Sequence, residues 1–116
     1  MGTAMRRFFT AVLEQGNTVT GDVATEPYEV GWAGEARWFI RALSIDGDTE
    51  VVATPELSPD GLVWCEAGAA PLRLSAATPA LVTAEQRGFG NWLRLNLRVT
   101  GRDPRAKLVV YLALKE

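Results

Sequence analysis

From Trp92 to Thr100 the chain alternates strictly: Leu93, Leu95, Leu97 and Val99 are apolar, and Trp92, Arg94, Asn96, Arg98 and Thr100 stand between them. Successive side chains of a strand point to opposite faces, so this pattern predicts a strand with one Leu/Val wall and one aromatic, cationic wall. The same period runs through residues 36–45, "ARWFIRALSI", where Ala36, Trp38, Ile40 and Ala42 oppose Arg37, Phe39, Arg41 and Leu43. It returns in "AKLVVYLALK", where Leu108, Val110, Leu112 and Leu114 alternate with Lys107, Val109, Tyr111, Ala113 and Lys115. Turn residues interrupt the alternation roughly every 8 to 12 positions, the spacing of a sandwich or barrel.

Helical spacing occurs once, in "MRRFFTAVLEQG" with Gly16 as a stop, but the Phe-Phe-Thr and Val-Leu content there favours extended chain. "TVTGDVATEPYEVGW" reads as an irregular extended segment that Pro27 keeps at an edge or bulge. "DGD" at 46–48 predicts a hairpin turn, and "SPDG" at 58–61 a type I turn with Pro59 second and Gly61 fourth. "TEVVATPEL", "LVWCE", "PLRLSA" and "ALVTAEQ" supply further strands. The prediction is an all-β chain: one antiparallel β-sandwich, jelly-roll-like, of eight or nine strands. It occupies residues 1–116 as a single domain, with residues 1–30 as an edge strand or attachment arm. An immunoglobulin-like sandwich is less favoured, because the strands are long and no cysteine pair brackets a tryptophan.

Composition narrows the chemistry. The 116 residues carry a net charge of −2, which removes the basic excess that phosphate backbones demand, so no nucleic acid is expected as a partner. No histidine is present, and Cys65 is the only cysteine. The commonest general base, the commonest metal ligand and any multi-thiolate zinc site are therefore missing. Cys65 reads as a small core hydrophobe. Arg6 and Arg7 before Phe8 and Phe9 have a twin-arginine look, but Glu14 ends the apolar run too soon for a secretory signal. No stretch reaches the ~18 apolar residues of a membrane span. Synthesis in the bacterial cytoplasm, with no membrane partner and no cofactor, is the expectation.

Three stretches together, "PELSPDGLVW", "NWLRLNLRVTG" and "AKLVVYLALK", resemble a pattern of small β-sandwich structural proteins of tailed phages and phage-derived particles. In that pattern an Asp-Gly turn and a Trp precede a Leu-Arg-Leu strand ending in Thr-Gly, and a final strand closes near Lys. The resemblance implies a capsid-decorating, fibre or spike-base module that forms symmetric oligomers within a virion or phage-like particle. It also implies that Asp60 and Gly61 make a turn, Trp64 packs beside it and Gly101 takes a bend. It supplies no catalytic residue.

Pairing the strand at 92–100 with the last strand, Val99 near Leu108, would gather Trp92, Arg94, Asn96, Arg98 and Tyr111 into one patch. Trp, Tyr and Arg carry much of the binding energy at protein interfaces, so this patch is the candidate interface, for self-association and for a protein partner on a larger assembly. Two other readings stay open: Arg stems that merely shield aromatic rings, and a ligand platform. Four tryptophans on a sandwich motivate the alternative of a carbohydrate-binding module; Trp38 and Trp64 read as core, Trp92 as exposed, and Trp32 has no clear side. Asp46, Asp48 and Glu50 have the alternate acidic spacing of a calcium loop, but a solvated hairpin explains them as well. Glu26, Glu29, Glu56 and Glu66 show no pairing suited to glycoside hydrolysis, and no enzyme is expected. On this reading, changing Trp92 and Arg94 to Ala lowers the oligomeric state and spares stability.

Overall fold

The computed structural model describes residues 7–116, and Arg6 of the twin-arginine pair lies outside them. The described residues contain no helix and ten strands: β1 (Phe8–Val19), β2 (Val23–Ala24), β3 (Tyr28–Glu29), β4 (Glu35–Ile45), β5 (Glu50–Ser58), β6 (Cys65–Glu66), β7 (Leu72–Ser75), β8 (Leu81–Gln86), β9 (Trp92–Thr100) and β10 (Ala106–Lys115). One sheet has the order β1-β10-β4-β8. The other places β2 and β3 along one side of β9, β5 along its other side, and β6 and β7 beyond β5. Every pairing is antiparallel.

Counting β2 with β3 and β6 with β7 leaves eight positions, and the chain changes sheet in the double Greek-key course of a jelly roll. The two extra strands arise from proline. Pro27 separates β2 from β3 along β9. Pro55 does the same on β5: its carbonyl accepts the Ala67 amide on the side where β6 and β7 lie. A residue in an antiparallel ladder presents its N–H and C=O to the same neighbour, so the missing proline N–H falls in the gap between β7 and β6.

The alternation predicted for the long strands holds. Leu93, Leu95, Leu97, Leu108, Val110, Leu112, Trp38 and Ile40 are fully buried between the sheets, joined by Leu74, Val51 and Val30. The Trp38 indole N–H donates to Gln86 Oε1 at 3.2 Å, so the one polar atom of the largest core side chain is satisfied.

Several expectations are corrected. β9 pairs with β5, Ser58 opposite Trp92 through Glu50 opposite Thr100, and not with the last strand. β10 lies in the other sheet, between β1 and β4. The "DGD" segment turns, with Gly47 at φ +57°, but it carries the chain from one sheet to the other and is not a hairpin. Leu43, by contrast, lies on the outer side with Arg37, Phe39 and Arg41 as its alternation places it, and is 46% exposed; the β4 register shifts there, between Ala42 and Ser44. Cys65 is exposed, on a two-residue strand outside the core.

Candidate functional site

The outer face of the second sheet carries four of the five candidate interface residues. On β9, Trp92, Arg94, Asn96 and Arg98 point away from the core, opposite Ser58, Glu56, Thr54 and Val52 of β5. Tyr111 is elsewhere: it faces outward from the first sheet, opposite Val12 and Phe39. The five side chains therefore do not form one patch. The two middle strands of an aligned sandwich both present a Leu/Val row to the core, and that row does not say which neighbour each one takes.

The loop from Pro59 to Trp64 curls over this face. Ser58 Oγ accepts the amides of Asp60 and Gly61, and Asp60 Oδ1 accepts those of Leu62 and Val63. The Leu62 and Val63 bonds, with help from Ser58, hold the Asp60 carboxyl below the usual aspartate range. Gly61 has φ +78°, and a Cβ there would lie 3.2 Å from the Trp92 ring, so the ring packs flat against the glycine. Trp64 then meets Arg94, whose guanidinium carbon is 4.2 Å from the ring centroid, while Arg94 Nε donates to Glu56 Oε1 at 2.7 Å. The turn at Asp60 and Gly61 and the place of Trp64 beside it agree with what the resemblance implied. Trp64 as core does not: it is half-buried on the outer face, and Leu62 is 82% exposed.

Beyond the loop, the face opens into a depression of about 300 Å³ lined by Val52, Thr54, Glu66, Arg73, Asn96 and Arg98. Trp32, whose side the sequence left open, is half-buried under the Arg7 guanidinium at 4.6 Å. Each of the three tryptophans outside the core thus has a ring face against an arginine or a glycine within the molecule. Among the described residues, no group of three or more acidic or thiol side chains could hold a metal ion. Asp48 Oδ1 of the calcium candidate accepts the Arg102 amide, and Gly101 at φ +145° lets the chain pass beside Asp48 and Thr49.

The outer face of the first sheet was not singled out by sequence. Registers on two adjacent strand pairs align Val12, Tyr111 and Phe39 in one row across β1, β10 and β4. Val109 and Leu81 lie in the next row, on either side of Arg41, and Ala113 adjoins on the other side. Val12 is 48% and Leu81 53% exposed; Arg41 interrupts the second row between Val109 and Leu81, and Arg37, Lys107 and Lys115 lie around the band. The signal was present in "KLVVYLALK", whose second row, Val109, Tyr111 and Ala113, is nearly as apolar as its first.

Fold and faces together define a jelly-roll β-sandwich with one face closed by its own loop and one apolar face open. No family model matches the chain, and no curated protein does. Among solved structures, a chain in a structure of infectious bursal disease virus, Gx strain, aligns with 97% of this chain at 13% identity and a TM-score of 0.55. The match takes in 32% of the viral chain, so this chain spans about a third of its length. A chain of dimeric latent PorU from Porphyromonas gingivalis aligns over 96% of this chain and 13% of its own at 11% identity, with a TM-score of 0.46. At these identities the likeness to the viral chain is one of fold.

Proposed function

We propose that this chain is a non-enzymatic structural module that self-associates and attaches to a larger particle of the virion or phage-derived kind. The observation that carries the reading is the open apolar band of Val12, Tyr111, Phe39, Val109 and Leu81 across four strands of the first sheet. Such a band costs solubility and supplies desolvation energy when covered, which is the physics of an assembly surface. The jelly-roll fold shared with a chain of a virus structure supports the context. Sugar binding has less support, since the tryptophans outside the core pack against arginine and glycine rather than forming one stacking surface.

The test is size-exclusion chromatography with light scattering over a range of concentrations, on the wild type and on a Phe39→Glu, Tyr111→Glu double variant. The expected result is an oligomer that the double variant weakens while its circular dichroism stays unchanged, because both side chains are only half-buried. A wild type that stays monomeric throughout overturns self-association. A glycan array on which the chain binds a specific sugar would overturn the structural reading.

A further inference from the structure

The four sheet edges are not alike. An exposed edge strand offers unpaired N–H and C=O groups to any incoming strand, and proteins blunt it with proline, charge, bulges or brevity. On the second sheet, one edge consists of β2 and β3, two residues each with Pro27 between them. The other consists of β6, two residues, and β7, four residues. On the first sheet, β8 is six residues long, carries Glu85 outward and is followed by Arg87, the two paired at 3.0 Å. The remaining edge, β1, is twelve residues long.

Within β1 the protection is uneven. The register on β10 runs without interruption from Phe8 opposite Lys115 to Val12 opposite Tyr111, and then breaks between Val12 and Glu14 and again between Gln15 and Thr18. Those bulges twist the second half of the edge. The first half, Phe8-Phe9-Thr10-Ala11-Val12, has neither charge nor proline nor bulge, and no strand lies on its far side among the described residues. Phe8 is 79%, Phe9 50% and Val12 48% exposed.

We infer that residues Phe8–Val12 are where a second copy of this chain adds its own β1, antiparallel and centred on Thr10, joining two four-stranded sheets into one continuous sheet. The inference rests on the self-association proposed above and adds an edge contact beside the apolar band. A second copy is the occupant because the segment complements itself. A two-fold axis at Thr10 places Phe8 opposite the partner's Val12 on the outer face and Phe9 opposite the partner's Ala11 on the inner, and no like charges meet. Main-chain hydrogen bonds supply the attraction, and the apolar pairs hold the register. The union also abuts the apolar bands of the two copies, since Val12 is the end of the row that runs through Tyr111 and Phe39.

Residues directly opposite across an antiparallel pair come within about 5 Å at Cβ, close enough for a disulfide after small adjustment. The experiment uses the full chain with the exposed Cys65 changed to Ser, to which Thr10→Cys or, as a control beyond the bulges, Thr18→Cys is added. Under mild oxidation, the Thr10→Cys chain is expected to form a covalent dimer and the Thr18→Cys chain to stay uncrosslinked. Val12→Lys in the otherwise native chain is expected to raise the dissociation constant of the oligomer about tenfold or more. Val12 is half exposed, so circular dichroism should not change. An oligomer that persists unaltered in Val12→Lys, with no crosslink at position 10, overturns this inference and leaves self-association standing through another surface. A wild type that is monomeric at every concentration overturns both.

Discussion

The Arg94 guanidinium lies 4.2 Å from the centroid of the Trp64 ring and at the same time donates to Glu56 at 2.7 Å. One side chain thereby ties three segments together: β9, β5 and the loop that returns from it. The pair is three-quarters or more withdrawn from solvent, with Arg94 at 24% and Glu56 at 17% side-chain exposure, so screening is weaker than at the open surface. Arg94→Ala should cost about 1–2 kcal/mol in chemical denaturation and red-shift the tryptophan emission as Trp64 loses its cover. The loss of stability, where sequence alone anticipated none, follows because Arg94 holds the fold's own loop. Arg94→Lys should recover part of it, since an ammonium can pair with Glu56 but cannot at the same time hold a guanidinium over the Trp64 ring.

Gly61 is held by its backbone and by Trp92 together. At φ +78° an L side chain is strained, and its Cβ would stand 3.2 Å from Cδ2 and Cε2 of the indole. Gly61→Ala is expected to destabilise by about 1–2 kcal/mol. Gly68, also at positive φ with open space around it, serves as the comparison: Gly68→Ala should cost only the backbone part. Equal losses at the two positions in thermal unfolding would show that Trp92 does not press on the loop.

The loop should also respond to acid. The amides of Leu62 and Val63, with Ser58, favour ionised Asp60 and lower its pKa below the ordinary 3.8. The folded value is the depressed one, so the stabilisation is present above the ordinary pKa and fades as pH falls from there through the folded value. Tryptophan emission should therefore be flat from neutral pH to about pH 4 and change below it. Asp60→Asn, which can still accept from the amides but cannot titrate there, should remove that acid transition. An unchanged transition in this variant would assign it to another carboxylate.

In the core, Trp38 and Gln86 are 0% and 1% exposed; the Trp38 indole N–H donates to Gln86 Oε1, while Gln86 Nε2 donates to the Arg87 carbonyl. Gln86→Leu keeps most of the volume but leaves a buried indole N–H without a partner, at about 1–3 kcal/mol. Adding Trp38→Phe removes the orphaned donor. A double-mutant cycle by denaturant unfolding should therefore show the pair costing less than the two single changes summed.

Alternation along the chain marks the strands and, for the long ones, which residues face inward. Leu93 to Val99 and Leu108 to Leu114 are buried as their alternation demands, because the two-residue period is a local property of extended chain. Turns were legible too, since Asp60, Gly61 and Gly47 sit where their backbone preferences place them. Which strand stands beside which is set by the tertiary fold. Every long strand offers an apolar row to a common core, and such rows are satisfied by many strand orders. The jelly-roll crossing puts β5, not β10, beside β9, so Arg94 meets Glu56 and Trp64 while Tyr111 joins Phe39 and Val12 on the opposite surface. The candidate faces were visible as alternating residues, but their membership depends on pairings between residues distant in sequence, and local periodicity carries no information about those.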